Sequence, residues 1–149
     1  MASDNGDLSL RLRVKSTRIA AKDSIFVIAE IRNNRSGPVT ILRPCGDYYS
    51  AVAGQIKIWN QDQQIKYTGP KYDYELTAEA FVTLEANKIV TDTLELPVRN
   101  FAGSDKAGAY LVRYDYTYSG DWDDTVAKKG VKGIWHGAMC SREVSLQKE

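Results

Sequence analysis

The stretch Tyr110-Leu111-Val112-Arg113-Tyr114-Asp115-Tyr116-Thr117-Tyr118 decides how this chain is read. Tyr110, Val112, Tyr114, Tyr116 and Tyr118 share one parity, while Leu111, Arg113, Asp115 and Thr117 share the other. A period of two separates two faces only on an extended strand. Tyrosines at strand spacing are expected in a core or on a sheet face rather than as a ligand platform. The preceding Gly103-Ser104-Asp105-Lys106-Ala107-Gly108 has turn composition.

The same alternation recurs outward from this strand. Leu8, Leu10, Leu12 and Val14 oppose Ser9, Arg11, Arg13 and Lys15, and Ile25, Val27, Ala29 and Ile31 repeat the pattern. Asn33-Asn34-Arg35-Ser36-Gly37-Pro38 supplies turn chemistry before Val39-Thr40-Ile41-Leu42. Ile56 and Ile58 lead through Asn60-Gln61-Asp62-Gln63-Gln64 to Ile65-Lys66-Tyr67, read as a hairpin. Strands are expected at 80–84 and 88–96 about Glu85-Ala86-Asn87, and a last one over 134–146 with Cys140, Val144 and Leu146 on one parity. Glu75 to Ala80 has helix propensity but is too short for more than one turn. No segment shows helical amphipathicity over a helical length. The expectation is an all-β fold, an antiparallel immunoglobulin-like β-sandwich of about eight strands, formed by one domain over 8–147 after a flexible segment 1–7.

Composition narrows the function classes. Twenty Lys and Arg against nineteen Asp and Glu leave a net charge of +1 in 149 residues, with 43% apolar residues. Disorder needs lower hydrophobicity and higher net charge, and a nucleic-acid binder needs a larger uncompensated basic face. A single His excludes a two-His zinc site. No G-x-S-x-G, G-x-x-x-x-G-K-[ST] or G-x-G-x-x-G motif occurs, so the expectation is a non-enzymatic protein without cofactor or metal. No run approaches the 18 apolar residues of a membrane span. The polar start at Met1-Ala2-Ser3 lacks the apolar region of a signal peptide, although a leader could have been removed before this numbering begins.

Cys45 and Cys140 are the only cysteines. An even pair near two strand ends reads as one disulfide, closing a loop of about 95 residues and worth on the order of 4 kcal/mol. Such a bond implies a secreted or periplasmic protein. The alternative is two free thiols.

Two loops hold the candidate functional side chains. Residues 45–54 carry Tyr48 and Tyr49, and residues 119–133 carry Trp122 among Asp121, Asp123, Asp124, Lys128 and Lys129. Aromatic residues in loops at one end of a rigid scaffold suit protein recognition, since Tyr and Trp give contact area at small entropic cost. Alternatively these rings lid the core. The acidic run Asp121-Trp122-Asp123-Asp124 could attract a hard cation, but it lacks the alternating ligands of a calcium loop. Read without metal, it is a solvated loop. His136 could join Cys45 and Cys140 as a three-ligand site only if the cysteines do not pair; otherwise it is a packed or surface histidine.

The segments Ile65 to Pro70, Thr77 to Asn87, Asp92 to Leu96 and Gly108 to Tyr114 occur in an order that resembles the non-catalytic β-sandwich preceding the zinc domain in deuterolysin-type peptidyl-Lys metalloendopeptidases. Small bacterial proteinase-inhibitor sandwiches share a similar ordering. Asn87 stands where the family favours Gly, a substitution that a positive-φ turn permits. No H-E-x-x-H motif is present, so no protease activity and no active-site residue carries over. The resemblance implies a stand-alone relative of a propeptide-like domain, acting as an inhibitor or partner-binding module.

The combined expectation is a protein that binds and blocks another protein, a protease or toxin, by loop-mediated occlusion. Tyr48, Tyr49 and Trp122 would anchor it, and the neighbouring Asp and Lys residues would steer association. The alternatives are a structural or accessory subunit of a secreted or periplasmic assembly, and a carbohydrate-binding module using exposed aromatic rings. No nucleic acid and no membrane insertion are expected.

Overall fold

The computed structural model describes residues 6–20, 23–45, 55–68, 78–97, 101 and 106–149. The fold is all-β, with strands β1 (Leu8–Val14), β2 (Arg18–Ile19), β3 (Ile25–Asn33), β4 (Val39–Leu42), β5 (Ile56–Asn60) and β6 (Gln63–Ile65) in its first half. After a 3-10 turn at Ala78–Ala80 come β7 (Phe81–Leu84), β8 (Ile89–Leu96), β9 (Gly108–Tyr118), β10 (Gly137–Cys140) and β11 (Val144–Lys148). One short helix, α1 (Asp123–Ala127), lies between β9 and β10.

Among the described residues three sheets form, ordered β1-β3-β8, β2-β11-β9-β5-β6 with β10 also on β9, and β4-β7. Pairing between these strands is antiparallel except where β11 meets β2, and Thr40 of β4 makes an isolated parallel bridge with Ile134. Consecutive β7 and β8 do not pair with each other. The turn between them sends β7 to β4 and β8 to β3, with Asn87 at φ 65°. Asn tolerates that left-handed conformation better than other side chains with a Cβ.

β9 is the axle. One edge takes β5, in register from Asn60↔Tyr110 to Ile56↔Tyr114, and the other takes β11 and then β10. Its odd face is solvent-facing, while Tyr110, Val112, Tyr114, Tyr116 and Tyr118 are at most 2% exposed. The inward residues of β1 and β3 join these tyrosines in one apolar cluster. A buried tyrosine adds large apolar area but must satisfy its hydroxyl. The hydroxyl of Tyr116 donates to the carbonyl of Leu42 at 2.7 Å, and that of Tyr118 to Asp123 Oδ1 at 2.6 Å. The column is thus closed to solvent and offers no ring to a ligand.

Asn33 is a further buried polar pin. Its Nδ2 donates to the carbonyls of Gly37 and Leu84, and its Oδ1 accepts from the Arg35 amide. The residue read as turn chemistry therefore also ties the β3–β4 turn to the end of β7.

Several sequence expectations change. The hairpin at 60–65 turns on two residues, Gln61-Asp62, because Asn60 pairs with Gln63 and Gln61 adopts φ 58°. The last strand is broken. Cys140 pairs with Asp115 but Val144 pairs with Val112, so one extra residue is inserted between them. Such a bulge switches the face on which following side chains lie. Leu146 turns to the core while Cys140 stays with Asp115 on the outer face.

That inversion bears on the expected disulfide, which the structure contradicts. Cys45 and Cys140 are both free and not near each other. Cys45 is buried after β4, where its amide donates to Asp92 of β8; Cys140 sits on β10, and its thiol donates to Asp115 of β9. The inference of an oxidising compartment rested on that bond and loses its support.

Candidate protein-binding surface

The excursion from β9 to β10 was expected as a loop and contains α1. Five residues are too few for a periodic pattern to announce a helix in sequence. Asp123 and Asp124 occupy its first turn, where the helix dipole favours negative charge, and Trp122 precedes it without a side-chain cap. Val126 anchors the helix at 0% exposure, and its carbonyl accepts from the Lys129 and Val131 amides as the chain leaves. Gly130 and Gly133, at φ 89° and 67°, then reverse the chain toward Ile134. There the Trp135 amide donates to the Thr40 carbonyl at 2.8 Å, docking the return on β4.

A polar network holds the base of this ridge. Asp123 Oδ1 accepts from Tyr118, and Asp123 Oδ2 lies 2.5 Å from His136 Nε2. The Trp122 amide donates to the Tyr118 oxygen at 3.2 Å. The His136 ring meets the Tyr118 ring edge to face at 5.6 Å. Burial, and then the bond to Asp123, raise the Tyr118 hydroxyl well above its ordinary pKa, so it stays a donor. Gly120 at φ 96° lets the backbone pass beneath His136, where a Cβ would lie 2.7 Å from Cε1.

The expected site residues separate into different roles. Trp122 is half-buried and packed on the core, Asp123 is engaged within the ridge, and Asp121 accepts a bond from Ser119 Oγ at 3.2 Å. Asp124, Lys128 and Lys129 are exposed. Tyr48 and Tyr49 lie outside the described residues. His136, read from sequence as a packed or surface histidine, is the ridge's main cross-link, and nothing in its spacing from Asp123 signals this. Among the described residues no three His, Cys, Asp or Glu side chains are grouped to hold a metal ion, and no helix is long and apolar enough to cross a membrane.

No protein-family model matches the chain, and no curated protein matches it. Among solved structures, a β-glucosidase from Erythrobacter marinus aligns with 95% of this chain and 15% of its own, at 10% identity and a TM-score of 0.42. A β-glucosidase from Listeria innocua in complex with isofagomine aligns with 95% and 16%, at 12% identity and 0.41. The chain thus spans 15–16% of the length of these enzymes. Likeness at this level carries no conclusion about activity.

Proposed function

We propose that this chain is an immunoglobulin-like β-sandwich acting as a protein-binding module that blocks a protease or toxin, with the ridge at 119–136 as its contact surface. The observation that carries the reading is the ridge's construction. Its base is cross-linked through Tyr118, Asp123 and His136, while Asp124, Lys128 and Lys129 point to solvent. A recognition element already held in one conformation loses less entropy on binding, and exposed charges of both signs give orientation to the encounter. In this reading Trp122 braces the ridge from below rather than inserting into the partner. The finer fold assignment is supported by two sheets sharing one core and by a tyrosine at the start of β9 whose hydroxyl bonds the backbone upstream, as in a tyrosine corner. The resemblance to propeptide-like domains supplies the class of partner.

The test is inhibition of a peptidyl-Lys metalloendopeptidase by the purified chain, compared with the K128E/K129E and D124K variants. Inhibition weakened tenfold or more by either variant supports the ridge. No inhibition at a hundredfold molar excess, or inhibition indifferent to both variants, overturns the assignment.

A further inference from the structure

β8 ends the three-stranded sheet, and β7, which leads into it, turns away to pair with β4. Bonding to β3 uses the even-numbered residues of β8. The Asn33 amide donates to the Lys88 carbonyl at 2.9 Å, and Ile31, Ala29, Val27 and Ile25 follow opposite Val90, Asp92, Leu94 and Leu96. In an antiparallel ladder the alternate residues point their amide and carbonyl the other way. Ile89, Thr91, Thr93 and Glu95 therefore aim theirs outward, and among the described residues nothing bonds these backbone groups. All four side chains are exposed, and Ile89, at 53%, is the one large hydrophobic exposed among the described residues.

An edge of this kind is ordinarily guarded by proline, lysine, a bulge or an inward charge. Ile89–Leu96 contains no proline, glycine or lysine and keeps an unbroken register with β3. Its one inward charge, Asp92, is already held at both oxygens by Arg43. The edge is thus a template for a further strand, with side-chain preferences set by its exposed parity. Thr91 and Thr93 suit β-branched neighbours, and Ile89 suits an apolar one. At the other end Glu95 accepts from Ser24 Oγ at 2.6 Å and pairs with no cation among the described residues. A second copy fits this edge poorly. The two-fold register that engages all four outward residues sets Ile89 against Glu95, leaving that charge unmet, and brings the two Asp92 side chains together.

We propose that the outer edge of β8 docks an extended segment of a partner protein, which adds as an antiparallel strand and sets a lysine or arginine against Glu95. Backbone bonds supply the attraction, and alternate side chains supply the selectivity. In antiparallel pairing the residue that meets Glu95 comes first in the segment, and the one that meets Ile89 comes last. The recognised pattern is a cation followed at every second position by β-branched or apolar residues.

The probe is the peptide Lys-Ser-Thr-Ser-Val-Ser-Val, capped at both ends and fluorescently labelled, titrated with the full chain by anisotropy up to about 1 mM. Saturable binding is expected, weakened at least tenfold when glutamate replaces the lysine. Methylating the amide nitrogens of its third and fifth residues removes donors that face β8 and should abolish binding. Methylating the fourth and sixth, which face away, should change the affinity less than threefold. Thr93→Pro deletes an outward donor that β3 does not use, so this variant should keep its circular dichroism yet bind at least tenfold more weakly. The methylated peptides leave the chain unaltered, so they decide the matter should Thr93→Pro unfold it. The proposal is overturned by a lack of saturation at the highest concentration, by indifference to the charge reversal or the methylation pattern, or by a folded Thr93→Pro variant that binds like wild type. It is equally overturned if a second copy holds the edge, seen as a mass above 16.7 kDa that Thr93→Pro returns to the monomer. The edge does not involve the ridge at 119–136, so this proposal and the inhibition reading can each fail alone.

Discussion

The Tyr110 hydroxyl donates to the Lys106 carbonyl at 2.5 Å and accepts from Asn60 Nδ2 at 3.2 Å, so one buried oxygen joins the approach to β9, the strand itself and the end of β5. Tyr110→Phe keeps the ring but removes both bonds. The Asn60 side chain already has a buried Oδ1 without a partner, so its amide has little compensation nearby. The variant is expected to lose about 1–3 kcal/mol, read as a lower urea midpoint at unchanged slope. An unaltered midpoint would show that the corner contributes nothing to stability.

Gly120→Ala introduces a Cβ at φ 96° and 2.7 Å from the His136 ring. His136 can yield only by leaving Asp123. A loss of about 1–3 kcal/mol is expected from backbone strain and the displaced contact together. In the His136→Ala background the same substitution should cost less, by at least 0.5 kcal/mol on the usual scale for coupled neighbours. Equal costs in both backgrounds would mean that strain alone acts and His136 does not confine the turn.

Burial, followed by the nearby Asp92 charge, pushes the Cys45 thiol up to about 12 from its ordinary 9.0. Cys140 is also raised, chiefly by burial and its bond to Asp115. A disulfide reagent at pH 8 should therefore react with the native chain slowly at both sites, and with both thiols promptly in urea. Because the Cys45 pKa is raised on folding, its contribution to stability is full below the unfolded value and is lost as pH rises through about 12. Unfolding midpoints measured between pH 8 and 11 should fall in the wild type more steeply than in Cys45→Ala. A mass lower by two hydrogens before reduction would contradict the free thiols.

Arg43 Nη2 and Nε bond the two Asp92 oxygens at 2.6 and 3.2 Å, linking the exit of β4 to β8. Asp92 is 13% exposed but Arg43 is 36% exposed, and freed of its partner the guanidinium can turn to water. Asp92→Ala is expected to cost about 1–2 kcal/mol rather than the larger penalty of a fully buried pair. Thermal unfolding of D92A and R43A together tests this, since the double variant should lose little more than either single one.

The strands were legible wherever one side of the chain faces the core and the other faces water. The alternation at Leu8 to Val14 and Tyr110 to Tyr118 appears in the structure as burial of one parity, because sheet geometry forces a period of two. What escaped detection depends on partners far away in the chain. β2 has only Arg18 and Ile19, too few to alternate, and exists because it lies along β11. The Gln61-Asp62 turn lacks the Asn-Gly signature of tight hairpins. The bulge before Val144 shifts parity by one residue, which is why Cys140, Val144 and Leu146 looked alike in sequence yet do not share a face. Of the ridge, the exposed charges were legible from composition, whereas the cross-link from Asp123 to His136 arises only once β10 returns alongside β9.

The position of β9 along the chain has a consequence for biosynthesis. The six-stranded sheet has no centre until residues from Gly108 onward emerge, and β10 and β11 follow later still. At typical elongation rates the ribosome needs roughly 2–10 s to go from the end of β5 to Gly108. Throughout that interval Ile56 and Ile58 on β5 have neither a neighbouring strand on their inner edge nor a tyrosine column to pack against. Until then the apolar face of β5 is open to non-native contacts, and the six-stranded sheet forms only after Gly108 has emerged.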